Sequence, residues 1–175
     1  MNRVDKYIES GDRVVALYGT LMRGERNVAF IDRLVEQKLV WRDRRTRRVR
    51  LENTCLSILP GDLPALYHNV EGVTEGVMAE LLAVSPEGFK ALCHFEGSPE
   101  WYNPMTVLAW DGNECNGVTA FFGPRGEGVE IQVQVPDIII RDETVVIPPY
   151  DYAQRDKEEC PQRAAMLHGV LAKCN

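Results

Sequence analysis

Residues 13 to 18, RVVALY, form an apolar, β-branched run that stops at Gly19, the pattern of a buried strand ending in a turn. The period then changes. From Asn27, a residue type that caps helices, VAFIDRLVEQ puts Phe30, Ile31, Leu34 and Val35 at helical spacing, which predicts an amphipathic helix with those four side chains facing inward. Residues 38 to 67 mix extended pieces with Pro60, Gly61 and Pro64, so short strands separated by loops are expected there. TEGVMAELLAV, residues 74 to 84, reads as a central strand. SPEGFKALCHF then opens with Ser85 as N-cap and Pro86 at the first helical position, and Phe89, Leu92 and Cys93 share a face. Gly97 and Pro99 end that helix, leaving Glu96 at or just beyond its last turn.

Further on, MTVLAW and GVTAFF flank a DGN turn and predict a β-hairpin, because Asp-Gly favours the backbone twist that joins two adjacent strands. VEIQVQV alternates with Val129, Ile131, Val133 and Val135 on one face, as a half-buried strand does. The tail from residue 153 is helix-prone, broken at Pro161, with Met166, Leu167, Val170 and Leu171 as an apolar edge. These elements add up to a mixed α+β or barrel-like single domain over residues 13–147. An N-terminal extension, 1–12, and a helical C-terminal extension, 148–175, flank it.

Composition changes this picture little. A chain of 175 residues, 45% hydrophobic and 26% charged, can bury a core as one domain. Its apolar stretches fall short of the roughly 20 residues that span a bilayer and its start lacks a signal-like apolar region, so a cytoplasmic protein with no membrane partner is expected. Cys55, Cys93, Cys115, Cys160 and Cys174 are scattered without a C-x-x-C pair, and His68, His94 and His168 lack ligand spacing, so neither a disulfide framework nor a metal is expected.

Charge adds one feature. RDRRTRRVR, residues 42 to 50, carries six arginines and one aspartate, a balance of +5 within a chain of net charge −6. Arg42, Arg44, Arg45, Arg47, Arg48 and Arg50 thus form either a solvated sheet edge or a candidate site for an anionic partner. The acidic remainder opposes non-specific DNA binding, so nucleic acid is not the expected partner.

Two segments hold candidate chemistry. A strand ending in Gly19, Thr20 and Leu21 can aim successive backbone N–H groups at an anion or a carbonyl oxygen; the alternative is a plain strand-to-loop turn. In HFEGSPEWYNP, the aromatic neighbours of Glu96 can desolvate its carboxyl and raise its pKa toward neutrality; the alternative is an exposed glutamate at a helix end. A Cys93–His94 nucleophile pair is disfavoured, because adjacent residues on a helix point about 100° apart.

Together VVALYGTLMRGERN and GVMAELLAVSPEGFKALCHFEGSPEWY resemble the γ-glutamylcyclotransferase-like, or AIG2-like, family, and LPALY at 63 to 67 resembles its Pro-Ala segment. The resemblance covers roughly residues 13 to 122. It implies a small mixed β-barrel with helices packed outside. It also implies that Tyr18, Gly19, Thr20 and Leu21 form the substrate-binding turn, with Tyr102 beside it and Glu96 as catalytic acid and base. The type reaction converts a γ-glutamyl amide to 5-oxoproline and an amine, with no metal or cofactor. Cys93 stands where the family usually has aspartate, and Pro104 where many members have arginine. A second reading keeps the fold as a non-catalytic binder of a small ligand or polyanion.

Overall fold

The computed structural model describes residues 12–42, 48–60, 63–69 and 74–124, and the backbone strands 139–141 and 144–146. Residues 1–11 of the N-terminal extension, the middle of the arginine run, the alternating stretch 129–135 and the C-terminal extension lie outside the described residues.

Eight strands form one sheet. They are β1 (Arg13–Leu17), β2 (Val40–Arg42), β3 (Arg48–Leu51), β4 (Thr54–Leu59), β5 (Leu63–His68), β6 (Val77–Val84), β7 (Asn103–Trp110) and β8 (Cys115–Phe122). Five of them close a ring. β1 pairs antiparallel with β6, β6 with β3, β3 with β7 and β7 with β8, and β8 returns to β1 in parallel through Val15–Thr119 and Ala16–Ala120. The result is a small mixed β-barrel. β2 lies on the same edge of β6 as β3 but farther along it, and β5 and β4 extend the sheet outward from β8. A separate antiparallel pair, β9 (Ile139–Arg141) and β10 (Thr144–Val146), completes the strands.

Two helices pack outside, α1 (Val28–Glu36) and α2 (Pro86–Phe95). The core explains why both faces of β1 are apolar: Val14 to Leu17 are all buried, one side facing the barrel interior and the other facing elements packed around it. Val15, Met22, Ile31, Leu51, Leu66, Leu82, Leu92 and Phe122 are almost wholly withdrawn from water.

Ser85 caps α2 as its sequence signature requires, its Oγ accepting the Gly88 N–H at 3.1 Å. Asn27 does not cap α1; its side chain is drawn to Thr20 instead. On the expected apolar face of α1, Ile31 and Leu34 are buried and Phe30 is partly covered, but Val35 is exposed, so the buried stripe is narrower than the periodicity predicts. Pro64, expected in a loop, sits inside β5 opposite Ile58 of β4. The strand tolerates it because Pro64 is near the strand start and β5 meets β8 only at Leu66, so no ladder bond needs its missing N–H. The β7–β8 hairpin turns at Asp111, whose Oδ1 accepts the N–H groups of Asn113 and Glu114, each at 2.9 Å.

Candidate active site

Where β1 ends, the chain turns at Tyr18–Leu21 and meets the start of β5 and the C-terminal end of α2. These three segments enclose a cavity of about 360 Å³. Its lining includes Tyr18, Gly19, Thr20, Leu21, Glu96 and Tyr102, so all six residues singled out in the sequence meet at one place, although Leu21 and Glu96 are far apart along the chain. Ala16, Leu17, Leu63, Pro64 and Phe121 give the cavity an apolar floor.

The turn is held from behind. Met22 N–H donates to the Gly19 carbonyl at 3.0 Å, Asn27 N–H to the Thr20 carbonyl at 2.9 Å, and Asn27 Nδ2 to Thr20 Oγ1 at 2.9 Å. Its carbonyls and hydroxyl therefore point to protein partners, while among the described residues no protein acceptor takes the N–H groups of Gly19, Thr20 or Leu21. Donors in this state suit an anion or a carbonyl oxygen. Glycine is required at position 19 by crowding: a Cβ there would lie 2.5 Å from Pro64 Cγ.

Glu96 follows the last residue of α2 as its C-cap, and Gly97 at φ 61° turns the chain away with its N–H on the His94 carbonyl at 3.2 Å. A carboxylate at a helix C-terminus opposes the helix dipole. Burial among aromatic and apolar walls adds to that cost and raises the Glu96 pKa from 4.5 to about 7. The group is therefore divided between acid and carboxylate near neutral pH, the condition for giving and taking a proton.

Both tyrosines build walls. The Tyr18 hydroxyl donates to the Phe121 carbonyl and accepts the Leu66 N–H at 3.3 Å, tying β1 to β8 and β5. Burial, then the nearby Tyr102 and Glu96, push its pKa well above the ordinary value, so it stays neutral. The Tyr102 hydroxyl donates to the Pro64 carbonyl at 3.0 Å. Each side chain thus presents its ring to the cavity while its hydroxyl holds the scaffold.

Glu80 is a residue that sequence reasoning passed over. It lies in β6 with its side chain only 5% exposed. Both of its carboxylate oxygens accept the Arg23 N–H at 3.2 Å; Arg42 pairs with it at 2.8 Å and Arg48 at 3.8 Å. The carboxylate anchors the far end of the turn that begins at Gly19. A lone acid in the otherwise apolar run VMAELLAV was the available signal, since a buried charge needs partners.

The same contacts revise the arginine run. Arg42 bridges Glu80 and Asp32, Arg48 joins Glu80, and Arg50 pairs with Glu52 at 2.8 Å and Glu75 at 3.6 Å. These three are engaged with carboxylates of the protein, while Arg44, Arg45 and Arg47 lie outside the described residues. Neither Cys93 nor His94 lines the cavity. Burial raises the Cys93 pKa, with Arg13 opposing and Glu96 adding to the rise, so the thiol does not ionise readily. Among the described residues no three His, Cys, Asp or Glu side chains cluster as a metal site, and no helix is long and apolar enough to cross a membrane.

The sequence model of the family described as "Gamma-glutamyl cyclotransferase, AIG2-like" matches residues 15–136. No curated protein sequence matches the chain. Among solved structures, an AIG2-like protein from Mus musculus is 18% identical, with 69% of this chain and 86% of that one covered and a TM-score of 0.54. A uropathogenic E. coli-specific protein, also 18% identical, covers 69% and 87% with a TM-score of 0.49. A protein from Arabidopsis thaliana is 20% identical over 64% and 68%, again with a TM-score of 0.49. The mouse structure shares the barrel fold.

Proposed function

The chain belongs to the γ-glutamyl cyclotransferase, AIG2-like family, and from that premise we propose that it cleaves a γ-glutamyl amide by intramolecular attack, with Glu96 carrying the protons. The substrate's α-amine attacks its own γ-carbonyl carbon, the new C–N bond closes a five-membered ring, and the original amide C–N bond breaks. Glu96 as carboxylate takes one proton from the α-ammonium and as acid returns it to the departing nitrogen. The attacking nitrogen gives up a second proton as the ring forms, which also goes to the departing nitrogen, so the products are 5-oxoproline, with a neutral lactam nitrogen and its carboxylate intact, and an amine that leaves protonated. No enzyme nucleophile takes part.

Two things remain for the protein to do. The apolar floor and the rings of Tyr18 and Tyr102 hold the glutamyl part folded so that amine and carbonyl meet, which replaces an encounter by a conformation. The Gly19–Leu21 N–H groups receive the substrate's carboxylate or the oxyanion that develops on the attacked carbonyl.

The observation that carries this reading is the shared cavity: its lining includes amide donors without protein acceptors among the described residues, and the same space holds a carboxyl that titrates near neutrality. The test is release of 5-oxoproline from a panel of γ-glutamyl amides, with the Glu96→Gln variant beside the natural protein. Turnover by the natural protein that drops at least about a hundredfold in the variant is expected, the usual scale for a lost acid–base group. Equal turnover in both would remove Glu96 from the mechanism.

A further inference from the structure

The cyclising reaction fixes the glutamyl half of its substrate and leaves the departing amine open. Position narrows it. If Glu96 returns a proton to the leaving nitrogen, that nitrogen lies against Glu96, and its substituent must pass along the residues that flank Glu96 in the cavity wall.

Those residues are aromatic and uncovered. Phe95 and Trp101 both line the cavity, yet 40% and 58% of their surfaces are exposed. Each has a described contact on one side. Phe95 stacks on Phe30 of α1, with ring centroids 4.4 Å apart and planes 24° from parallel. Trp101 lies on Gly97, where a Cβ would stand 3.3 Å from the indole Cδ1, and the Trp101 backbone N–H donates to the Gly97 carbonyl at 2.9 Å. Two large rings held in place with a free surface at a cavity mouth are suited to receive another flat apolar group.

Charge points the same way. Among the described residues that line the cavity, Glu96 is the one carboxylate and Arg26 the one permanent cation. Glu100, next to Trp101, is exposed and does not line the cavity. Among these lining residues a leaving amine bearing a second ammonium group would find no carboxylate except the proton carrier. An aryl substituent needs none.

We infer that the amine released by this protein is an arylalkylamine whose ring packs on Trp101 and Phe95, an inference that rests on the cyclising reading of the Glu96 cavity. The probes are the γ-glutamyl amides of phenethylamine, ethylamine and 1,5-diaminopentane, compared by 5-oxoproline release. The kcat/KM for the phenethylamide should exceed the other two at least about tenfold, and Trp101→Ala should shrink the phenethylamide-to-ethylamide ratio toward one. In the full-length Glu96→Gln protein, calorimetry should show the phenethylamide bound about tenfold more tightly than the ethylamide. Equal kcat/KM values with active enzyme would overturn the aryl assignment and leave the cyclising reading standing. No 5-oxoproline from any substrate would overturn the cyclising reading; the calorimetric ratio then decides, and equal or absent binding sinks the assignment as well.

Discussion

Replacing Glu96 with glutamine should make the protein more stable at alkaline pH and leave its stability in acid almost unchanged. The reason is that the fold holds a carboxyl whose pKa is raised from 4.5 to about 7 by burial. Between those two values the folded state keeps a proton that the unfolded chain has lost, so stability falls as pH rises through that window. The sign is opposite to that of a salt-bridged acid. At 1.36 kcal/mol for each pKa unit, the carboxylate costs about 3 kcal/mol once the pH is above 7. Below 4.5 both states are protonated and the cost vanishes. Glutamine has nearly the same shape and no charge, so it escapes the penalty throughout.

The assay is urea unfolding of both proteins at about pH 4.5 and about pH 8.5. Other titrating groups are common to the two, so their effects cancel in the difference. The stability advantage of Glu96→Gln should grow by about 3 kcal/mol between the two conditions. A constant difference, or a natural protein that gains on the variant at high pH, would refute the claim that burial sets the charge state of Glu96. If the expected growth is seen, the variant proposed to lack the proton carrier is the more stable protein above neutral pH, the signature of a site whose chemistry is held against stability.

Two further outcomes follow from the scaffold. Glu80→Gln breaks a buried ion pair and leaves Arg42, whose side chain is 9% exposed, with the exposed Asp32 at 3.5 Å as its remaining described carboxylate, so urea unfolding should show a loss of up to about 3–5 kcal/mol. Adding Arg42→Met should recover part of that loss, and a single-variant loss below about 1 kcal/mol would mean that Glu80 is no anchor. Gly19→Ala sets a Cβ 2.5 Å from Pro64 Cγ, so thermal unfolding should report a destabilisation of about 1–3 kcal/mol, and an unchanged transition would show that the turn has room to give.

Local patterns recovered the elements well where one interaction dominates. Ser85 before Pro86 marks a helix start because a capping side chain and a residue without an N–H suit the first turn in any surroundings. The hairpin around Asp111 and Gly112 was legible for the same reason. Where two partners compete, local pattern failed. Asn27 has the chemistry of a cap, but its amide reaches Thr20, which the fold carries to it. Val35 has the spacing of a core residue and remains exposed because none of the described elements covers that side of α1. Pro64 reads as a loop residue and lies in a strand whose neighbours leave its nitrogen without a partner to miss.

The sequence by itself determined which segments become strand or helix, the family, and the residue types on which its chemistry would draw, because these depend on neighbours within a few positions. Tertiary structure alone decided that β8 returns to β1 and closes the barrel, that Glu80 gathers Arg42, Arg48 and the Arg23 N–H, and that the turn at Gly19 and Glu96 line one cavity. Burial, desolvation and ion pairing depend on what lies on the other side of a gap. No stretch of the chain encodes its own opposite wall.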